Sequence, residues 1–168
     1  MEISLRYFRP QDNEGLRNLR QPCKTTIEKP SAEILERTQG CLLGQIAGDA
    51  LGSLVEFQTP EQIRQEYPNG VRELVDGGTW NTIAGQPTDD SEMALLLARM
   101  LVNQGKYNPE EARKAYVYWL DSGPFDCGMT VSSGLRGRPN PDSQANGAMM
   151  RISPVGIFGA NHDLQQVA

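Results

Sequence analysis

One segment predicts the centre of the fold: Thr88-Asp89-Asp90-Ser91-Glu92-Met93-Ala94-Leu95-Leu96-Leu97-Ala98-Arg99-Met100-Leu101-Val102-Asn103-Gln104-Gly105. Its large apolar residues share one helical face, and they are Met93, Leu96, Leu97, Met100 and Leu101. Gly105 is the kind of residue that commonly ends a helix, because it accepts a left-handed conformation. The segment therefore predicts a long amphipathic helix that begins near Thr88.

Two interpretations fit the oxygen-bearing residues Thr88, Asp89 and Asp90 at this predicted helix start. A threonine N-cap followed by two aspartates is ordinary helix capping and dipole compensation. Hydroxyl and carboxylate oxygens are also the ligands that Mg²⁺, Ca²⁺ or Mn²⁺ prefer. Adjacent side chains within a helix point about 100° apart, so both aspartates can contact metal only at the helix start, where they can reach different ions. By themselves the three residues leave this choice open.

Other segments also have helical patterns and caps. Helices are predicted from Ser31 to about Ser53, from Thr59-Pro60-Glu61-Gln62 to a stop before Pro68, from Asn108 to Ser122-Gly123-Pro124, and from Thr130 to Leu135. Turn chemistry predicts loops over Thr79 to Pro87 and Arg136 to Asn146, and Val71 to Val75 is a brief extended piece. With almost no strand pattern, the sequence predicts an all-α orthogonal helical bundle.

The first predicted helix carries a glycine every fourth residue, at Gly40, Gly44, Gly48 and Gly52. Each glycine costs about 0.8–1 kcal/mol relative to alanine in a helix, so this glycine stripe needs a packing reason. Residues four apart share a face, and the missing side chains leave a groove for another helix or a ligand. Close helix packing is the simpler interpretation. Asp49, in the same helix, either bonds a neighbouring helix or supports metal ligands.

Composition narrows the class of protein. A chain of 168 residues is long enough for one domain with a core, and its net charge of −5 argues against a nucleic-acid surface. The longest apolar run, Met93 to Ala98, is too short to span a bilayer, and no signal-peptide pattern opens the chain. We therefore expect a cytoplasmic protein with no membrane partner.

Cysteine and histidine give little support to other kinds of site. Cys23, Cys41 and Cys127 are odd in number and lack metal spacing, so we expect reduced, mostly buried thiols. His162 is the one histidine. It cannot form a multi-histidine metal site, and a Ser-His-Asp triad has little support.

Three motifs stand in order along the chain. They are Gly48-Asp49-Ala50-Leu51-Gly52-Ser53-Leu54-Val55-Glu56, then Thr88-Asp89-Asp90, then Asn146-Gly147-Ala148-Met149-Met150-Arg151-Ile152-Ser153-Pro154-Val155-Gly156. Together they resemble the ADP-ribosylglycohydrolase family, which includes the dinitrogenase-reductase-activating glycohydrolases. The resemblance covers roughly Ile34 to Phe158. Family members are about twice as long, and their second metal motif, an Asp-x-Asp followed by Thr or Ser, is absent here.

The resemblance implies a metal centre with two Mg²⁺ ions, for which Mn²⁺ can substitute. Thr88, Asp89 and Asp90 would hold one side of it, with Glu56, Asp89 and Asp90 as the catalytic residues. The family residue equivalent to Glu56 lies on a mobile loop at the metal centre. Metal ions would orient a water, and an aspartate would accept its proton.

The resemblance also implies an ADP-ribose site at Asn146, Gly147 and Ala148. These residues precede a predicted short helix, whose free backbone N–H groups would face a diphosphate. Taken without the resemblance, Asn-Gly is first of all a turn. Arg151 is expected to be a structural ion-pair partner rather than a phosphate ligand.

The implied activity is hydrolysis of the N-glycosidic bond between ADP-ribose and a modified protein side chain, most often arginine. The partners would be an ADP-ribosylated protein or ADP-ribose. A non-catalytic ADP-ribose binder is the alternative, as is a structural member like the lens crystallins that share this fold. Thr88-Asp89-Asp90 supplies three protein oxygens, whereas a pair of octahedral Mg²⁺ ions needs more.

The same resemblance sets the expected domain organisation. Residues 1–30 should form a peripheral N-terminal extension, and residues 31–168 the N-terminal part of a glycohydrolase domain. The remaining metal ligands would come from a longer form of the chain or from a partner chain that supplies the missing half.

Overall fold

The structure is a computed structural model that describes residues 31–160, and the predicted extension 1–30 therefore lies outside it. Helices in this range are α1 (Ala32–Gly52), α2 (Pro60–Glu66), α3 (Asp89–Gln104), α4 (Pro109–Asp121), α5 (Met129–Leu135) and α6 (Ser153–Gly159). The described residues contain no β-strand, and the backbone of Val71 to Val75 forms no β-bridge. An isolated antiparallel bridge joins Gly77 to Thr82. The predicted all-α class is confirmed.

Local capping explains where several helices begin. The Ser31 hydroxyl accepts from the Ile34 N–H at the start of α1, and Thr59 and Gln62 form a reciprocal capping box at α2. At α4 the Asn108 side chain accepts from two backbone N–H groups, and a proline follows it. Gly105 ends α3 with a φ of 64°. These boundaries match the predictions because each depends on a few neighbouring residues.

The central helix is α3, which packs against α1, α4 and α6, while α5 packs against α4. The buried apolar cluster consists of Met93, Leu97, Met100, Leu101, Ala112, Tyr116, Trp119, Leu120 and Val131. Met93 is completely buried, and Leu96 packs on the edge of the cluster. Removing such side chains from water stabilises the fold by about 1.5–3 kcal/mol each. The predicted apolar face of α3 is the core.

The glycine stripe of α1 has no neighbour among the described residues. A Cβ atom added at Gly40, Gly44, Gly48 or Gly52 would meet no heavy atom within 4 Å. Leu43, in the same stretch, is 65% exposed. The predicted close packing of this stripe is therefore not made by residues 31–160, and Ala50 is the one buried residue of α1.

A tight turn between α2 and α3 presses against the end of α1. Gly78 has a φ of 70°, and a Cβ there would stand 2.7 Å from the Leu54 Cα. Only glycine permits this approach and this backbone conformation together. The turn is closed by the Gly77–Thr82 bridge, and it places Trp80 beside the loop that follows α1.

The structure tests the predictions about membrane-spanning helices and about the cysteines. Within residues 31–160, no helix is long and apolar enough to cross a membrane. Cys41 is exposed and Cys127 is half-buried, so the prediction of buried thiols is wrong for Cys41. Cys23 and His162 lie outside the described residues.

Candidate active site

The N-terminus of α3 is capped by a carboxylate from α1. The Thr88 side chain makes no capping hydrogen bond. Instead, Asp49 Oδ2 accepts from the backbone N–H of Thr88 at 3.0 Å and of Ser91 at 3.1 Å, and the Thr88 hydroxyl donates to Asp49 Oδ1 at 2.7 Å. The carboxylate satisfies two otherwise unpaired donors at the positive end of the helix dipole. Thr88 is the N-cap residue and Asp89 and Asp90 lie in the first turn, as the capping interpretation predicts, but the Thr88 side chain does not cap the helix. Of the two roles left open for Asp49, the bond to a neighbouring helix is observed.

Asp89 joins the start of α3 to the start of α5. Its side chain is 6% exposed, and its Oδ2 accepts from the backbone N–H of Gly128 at 3.2 Å. A buried carboxylate needs such a partner, because desolvation of an unpaired charge is costly. The contact therefore fixes the α4–α5 loop beside α3.

Asp90 is half-buried among other acids. Burial, followed by the charges of Asp49 and Asp89, raises the pKa of Asp90 to about 6. The Asp90 carbonyl accepts from Gln45 Nε2 at 3.2 Å, and the same amide donates to the Met150 carbonyl at 2.9 Å. Gln45 therefore links α1 to both α3 and the third motif.

Asp126 is a site residue that the sequence reasoning missed. It lies in the α4–α5 loop, and burial followed by the negative charges of Asp89, Glu56, Asp90 and Asp49 raises its pKa to about 7. A strongly shifted acid among other acids is a common property of active sites. The only sequence signal is an acid two residues before a glycine after a helix stop, which is too common to select it.

Glu56 is fixed by side chains from the turn before α3. Trp80 Nε1 donates to Glu56 Oε2 at 2.7 Å, and the Thr79 hydroxyl donates to the Glu56 carbonyl. Trp80 also makes edge contacts with the rings of Phe57 and Phe125. Because the Glu56 charge contributes to the raised pKa of Asp126, the structure brings the first motif to the same site.

The first residues of the third motif form a turn, and its last residues begin α6. The Asn146 carbonyl accepts from the Met149 N–H at 2.7 Å and the Met150 N–H at 3.1 Å. The next helix, α6, begins at Ser153, so a short helix follows these residues as predicted, with Met149 to Ile152 between it and Ala148. Asn146 and Ala148 are exposed, and a Cβ at Gly147 would stand 2.8 Å from Val131 Cγ2.

Arg151 has a structural contact of a different kind from the one expected. Its guanidinium carbon lies 4.6 Å from the centre of the Tyr116 ring, and Nη1 lies 3.5 Å from the Met93 sulfur. None of the ion pairs found within residues 31–160 includes it. The ion-pair prediction is wrong, and the contact is a cation–π interaction with the core.

The donor atoms at the start of α3 suit a hard divalent cation. Five carboxylates lie close enough to repel one another, and a bound cation would relieve this repulsion. They belong to Asp49, Glu56, Asp89, Asp90 and Asp126. Across residues 31–160, however, no three Asp, Glu, Cys or His side chains are arranged to hold a metal ion. The residues therefore fit one side of a cation site rather than a complete one.

An all-α fold with three motifs gathered at one helix start defines the class of protein. The family model described as ADP-ribosylglycohydrolase matches residues 30–168. The chain belongs to the ADP-ribosylglycohydrolase family. The sequence-based recognition is confirmed.

Several named proteins are similar to this chain. An ADP-ribosyl-[dinitrogen reductase] glycohydrolase from Rhodospirillum rubrum is 36% identical over 137 residues, which cover 76% of this chain and 46% of the relative. The ADP-ribosylarginine hydrolase Tri1 of Pseudomonas putida (strain GB-1) is 32% identical over 143 residues, which cover 75% of this chain and 37% of the relative. Tri1 of Serratia proteamaculans (strain 568) is 30% identical over 146 residues, which cover 77% of this chain and 38% of the relative. The chain spans less than half of the length of these relatives.

Proposed function

We propose that this protein hydrolyses the N-glycosidic bond between ADP-ribose and a modified arginine side chain of a target protein. The observation that carries the proposal is the meeting of Glu56, Asp89, Asp90 and Asp126 at the start of α3. The names of the relatives point the same way: one acts on ADP-ribosylated dinitrogen reductase and others are ADP-ribosylarginine hydrolases. Water would add to the ribose carbon as its bond to the guanidinium nitrogen breaks.

Mg²⁺ or Mn²⁺ is the cofactor that the donor set suggests, in a centre of two ions. Thr88, Asp89 and Asp90 would hold one side of it. When bound, the ions would polarise the ribose hydroxyls and lower the pKa of a bound water. Asp49 orients the Thr88 hydroxyl and the Gly128 N–H orients Asp89, so these ligands are held by contacts that exist before any ion binds.

An acid whose pKa lies near neutrality is the best candidate for proton transfer. A general acid or base works best when its pKa is close to the working pH. Asp126, with a pKa of about 7, meets this condition and would exchange a proton with water or with the departing guanidine. Asp90 has a pKa of about 6 without metal, and as a metal ligand it would be ionised. Glu56 would contact the substrate or the water from the opposite loop.

The turn Asn146-Gly147-Ala148 would contact the ADP-ribose. Its exposed residues leave room for a ligand, and Gln45 holds the turn at a fixed distance from α3 through the Met150 and Asp90 carbonyls. We also propose a cytoplasmic location, where the exposed thiol of Cys41 would stay reduced.

The test is release of ADP-ribose from an arginine-modified protein by the product of the complete gene. We expect release that EDTA abolishes and Mg²⁺ restores, and Asp89→Asn should lower turnover more than it weakens ADP-ribose binding. Glu61→Gln is a matched control, because Glu61 is an exposed acid on α2 paired with Arg64. Undiminished release in EDTA would rule out the metal-dependent reaction.

One observation favours a second candidate function, non-catalytic binding of ADP-ribose. The acids of residues 31–160 do not form a closed metal site. A protein that binds ADP-ribose through the Asn146 turn but releases none from modified protein would belong to this class. Absence of both binding and release would favour a structural role, as in the lens crystallins. Activity that appears only with a second polypeptide would identify a partner chain as the source of the remaining ligands.

A further inference from the structure

Trp80 contacts three residues in two separate segments of the site. Its indole N–H donates to Glu56 Oε2 at 2.7 Å. Its ring lies 6.2 Å from the Phe57 ring at 75° and 6.0 Å from the Phe125 ring at 65°, both as edge contacts. Phe57 follows Glu56 after α1, and Phe125 precedes Asp126 in the α4–α5 loop. One side chain thus bridges the two loops that carry these acids.

The backbone around Trp80 is fixed independently of its side chain. The Gly77–Thr82 bridge closes the turn, Gly78 lies directly against Leu54, and Asp76 Oδ1 accepts from the Ala84 N–H at 2.8 Å. The Thr79 hydroxyl holds the Glu56 carbonyl. The turn therefore presents the indole at a set position, so the carboxylate is held by a rigid element rather than by a free side chain.

The residue beside Glu56 has an uncommon backbone conformation. Phe57 has a φ of 63°, a region that bulky residues rarely occupy, and its side chain is 80% exposed. Such a conformation persists where surrounding contacts hold it. The Phe57 ring touches Trp80, so the indole supports both the carboxylate and the backbone turn that directs it.

We propose that Trp80 is a positioning residue for the Glu56 carboxylate, holding it towards the Asp126 loop and the start of α3. The inference rests on the proposed hydrolysis, in which Glu56 contacts substrate or water. With Oε2 engaged by the indole, Oε1 is the oxygen available to the reaction. Trp80 acts through Glu56 and does not touch the reacting atoms.

The first experiment measures the contact itself in this chain. It contains two tryptophans, so an NMR spectrum shows two indole N–H signals that Trp119→Phe assigns. Glu56→Gln should move the Trp80 indole proton upfield, since a hydrogen bond to a neutral amide is weaker than one to a carboxylate, and should leave the Trp119 signal nearly unchanged. Glu92→Gln is the matched control, because Trp119 Nε1 donates to Glu92 Oε2 at 2.6 Å. A Trp80 signal unaffected by Glu56→Gln would overturn the inference.

The second experiment measures hydrolysis by the product of the complete gene. Trp80→Phe keeps an aromatic ring but loses the N–H, and we expect kcat to fall about tenfold, the size of one charged hydrogen bond, with little change in KM. The double variant Trp80→Phe with Glu56→Gln should be no slower than Glu56→Gln alone, because both changes remove the same function. If the fall in kcat of the double variant equals the product of the two single falls, Trp80 acts through a group other than Glu56. An unchanged kcat in Trp80→Phe would overturn the inference.

Failure of the inference and failure of the proposed function give different results. A parent protein that releases no ADP-ribose contradicts the hydrolysis and, with it, any catalytic role for Trp80. An active parent whose Trp80→Phe variant is equally active contradicts the positioning role alone. Thermal denaturation of Trp80→Phe, compared with Trp119→Phe in the core, shows whether a lost rate reflects lost folding.

Discussion

Asp49 binds Thr88 with both of its carboxylate oxygens, one to the backbone N–H at 3.0 Å and one to the side-chain hydroxyl at 2.7 Å. The contact joins the first motif of the family to the second, although the two are 39 residues apart in the chain. It also occupies the hydroxyl that would otherwise cap α3. Asp49 therefore fixes the start of α3 in the orientation that its proposed metal ligands require.

Replacement of Asp49 should destabilise the fold. Asp49→Ala removes three hydrogen bonds and the negative charge at the N-terminus of α3, and we expect a loss of about 1–3 kcal/mol in the free energy of unfolding. Urea denaturation measures it. Asp121→Ala is the control: this exposed acid at the C-terminal end of α4 faces the negative pole of its helix, so its removal should be neutral or slightly stabilising.

Divalent cations should bind at the start of α3. Asp89→Ala and Asp90→Ala should each weaken Mg²⁺ or Mn²⁺ binding measured by calorimetry, by about tenfold or more, because a metal ligand or its support is lost. Glu61→Ala should bind like the parent. If Asp89→Ala and Asp90→Ala also bind like the parent, these aspartates serve folding alone.

The metal-free protein should lose stability as the pH rises towards neutrality. Asp126 and Asp90 have folded-state pKa values of about 7 and about 6, both raised from 3.8, so the folded state favours their protonated forms. Their contribution is fully present below pH 3.8 and is lost as the pH rises through 6 and 7. Asp126→Asn should flatten this dependence. Denaturation in EDTA at several pH values measures it, and a slope that Asp126→Asn leaves unchanged would contradict the assignment.

The sequence predicted the helices better than it predicted the site. Each helix-capping residue acts on the end of its own helix, so a few neighbouring residues are enough to predict its role. These residues are Ser31, Thr59, Asn108 and Gly105. Asp126 was missed because its importance depends on a loop that Gly128 attaches to Asp89, a contact between distant segments. The packing of Gly147 on Val131 could not be predicted for a similar reason, because it also joins distant segments.

Gln45 should control the distance between the third motif and α3. Gln45→Ala leaves the Asp90 and Met150 carbonyls and the Ser153 hydroxyl without their amide partner. We expect a loss of about 1–3 kcal/mol in stability and weaker binding of ADP-ribose, measured by calorimetry. Gln144→Ala, an exposed glutamine in the preceding loop, is the control and should have little effect on either quantity. Unchanged ADP-ribose affinity in Gln45→Ala would separate this contact from ligand binding.

The glycine stripe of α1 gives a test of what covers this helix. A Cβ at Gly44 would meet no described atom, and alanine is favoured over glycine inside a helix, so Gly44→Ala should stabilise the 168-residue chain by about 0.8–1 kcal/mol. Thermal denaturation measures the change. Gly78→Ala should do the opposite, because its Cβ would stand 2.7 Å from the Leu54 Cα at a positive φ. Destabilisation by Gly44→Ala would show that the stripe is covered, by a second copy of the chain or by residues outside 31–160, and light scattering would distinguish a dimer from a monomer.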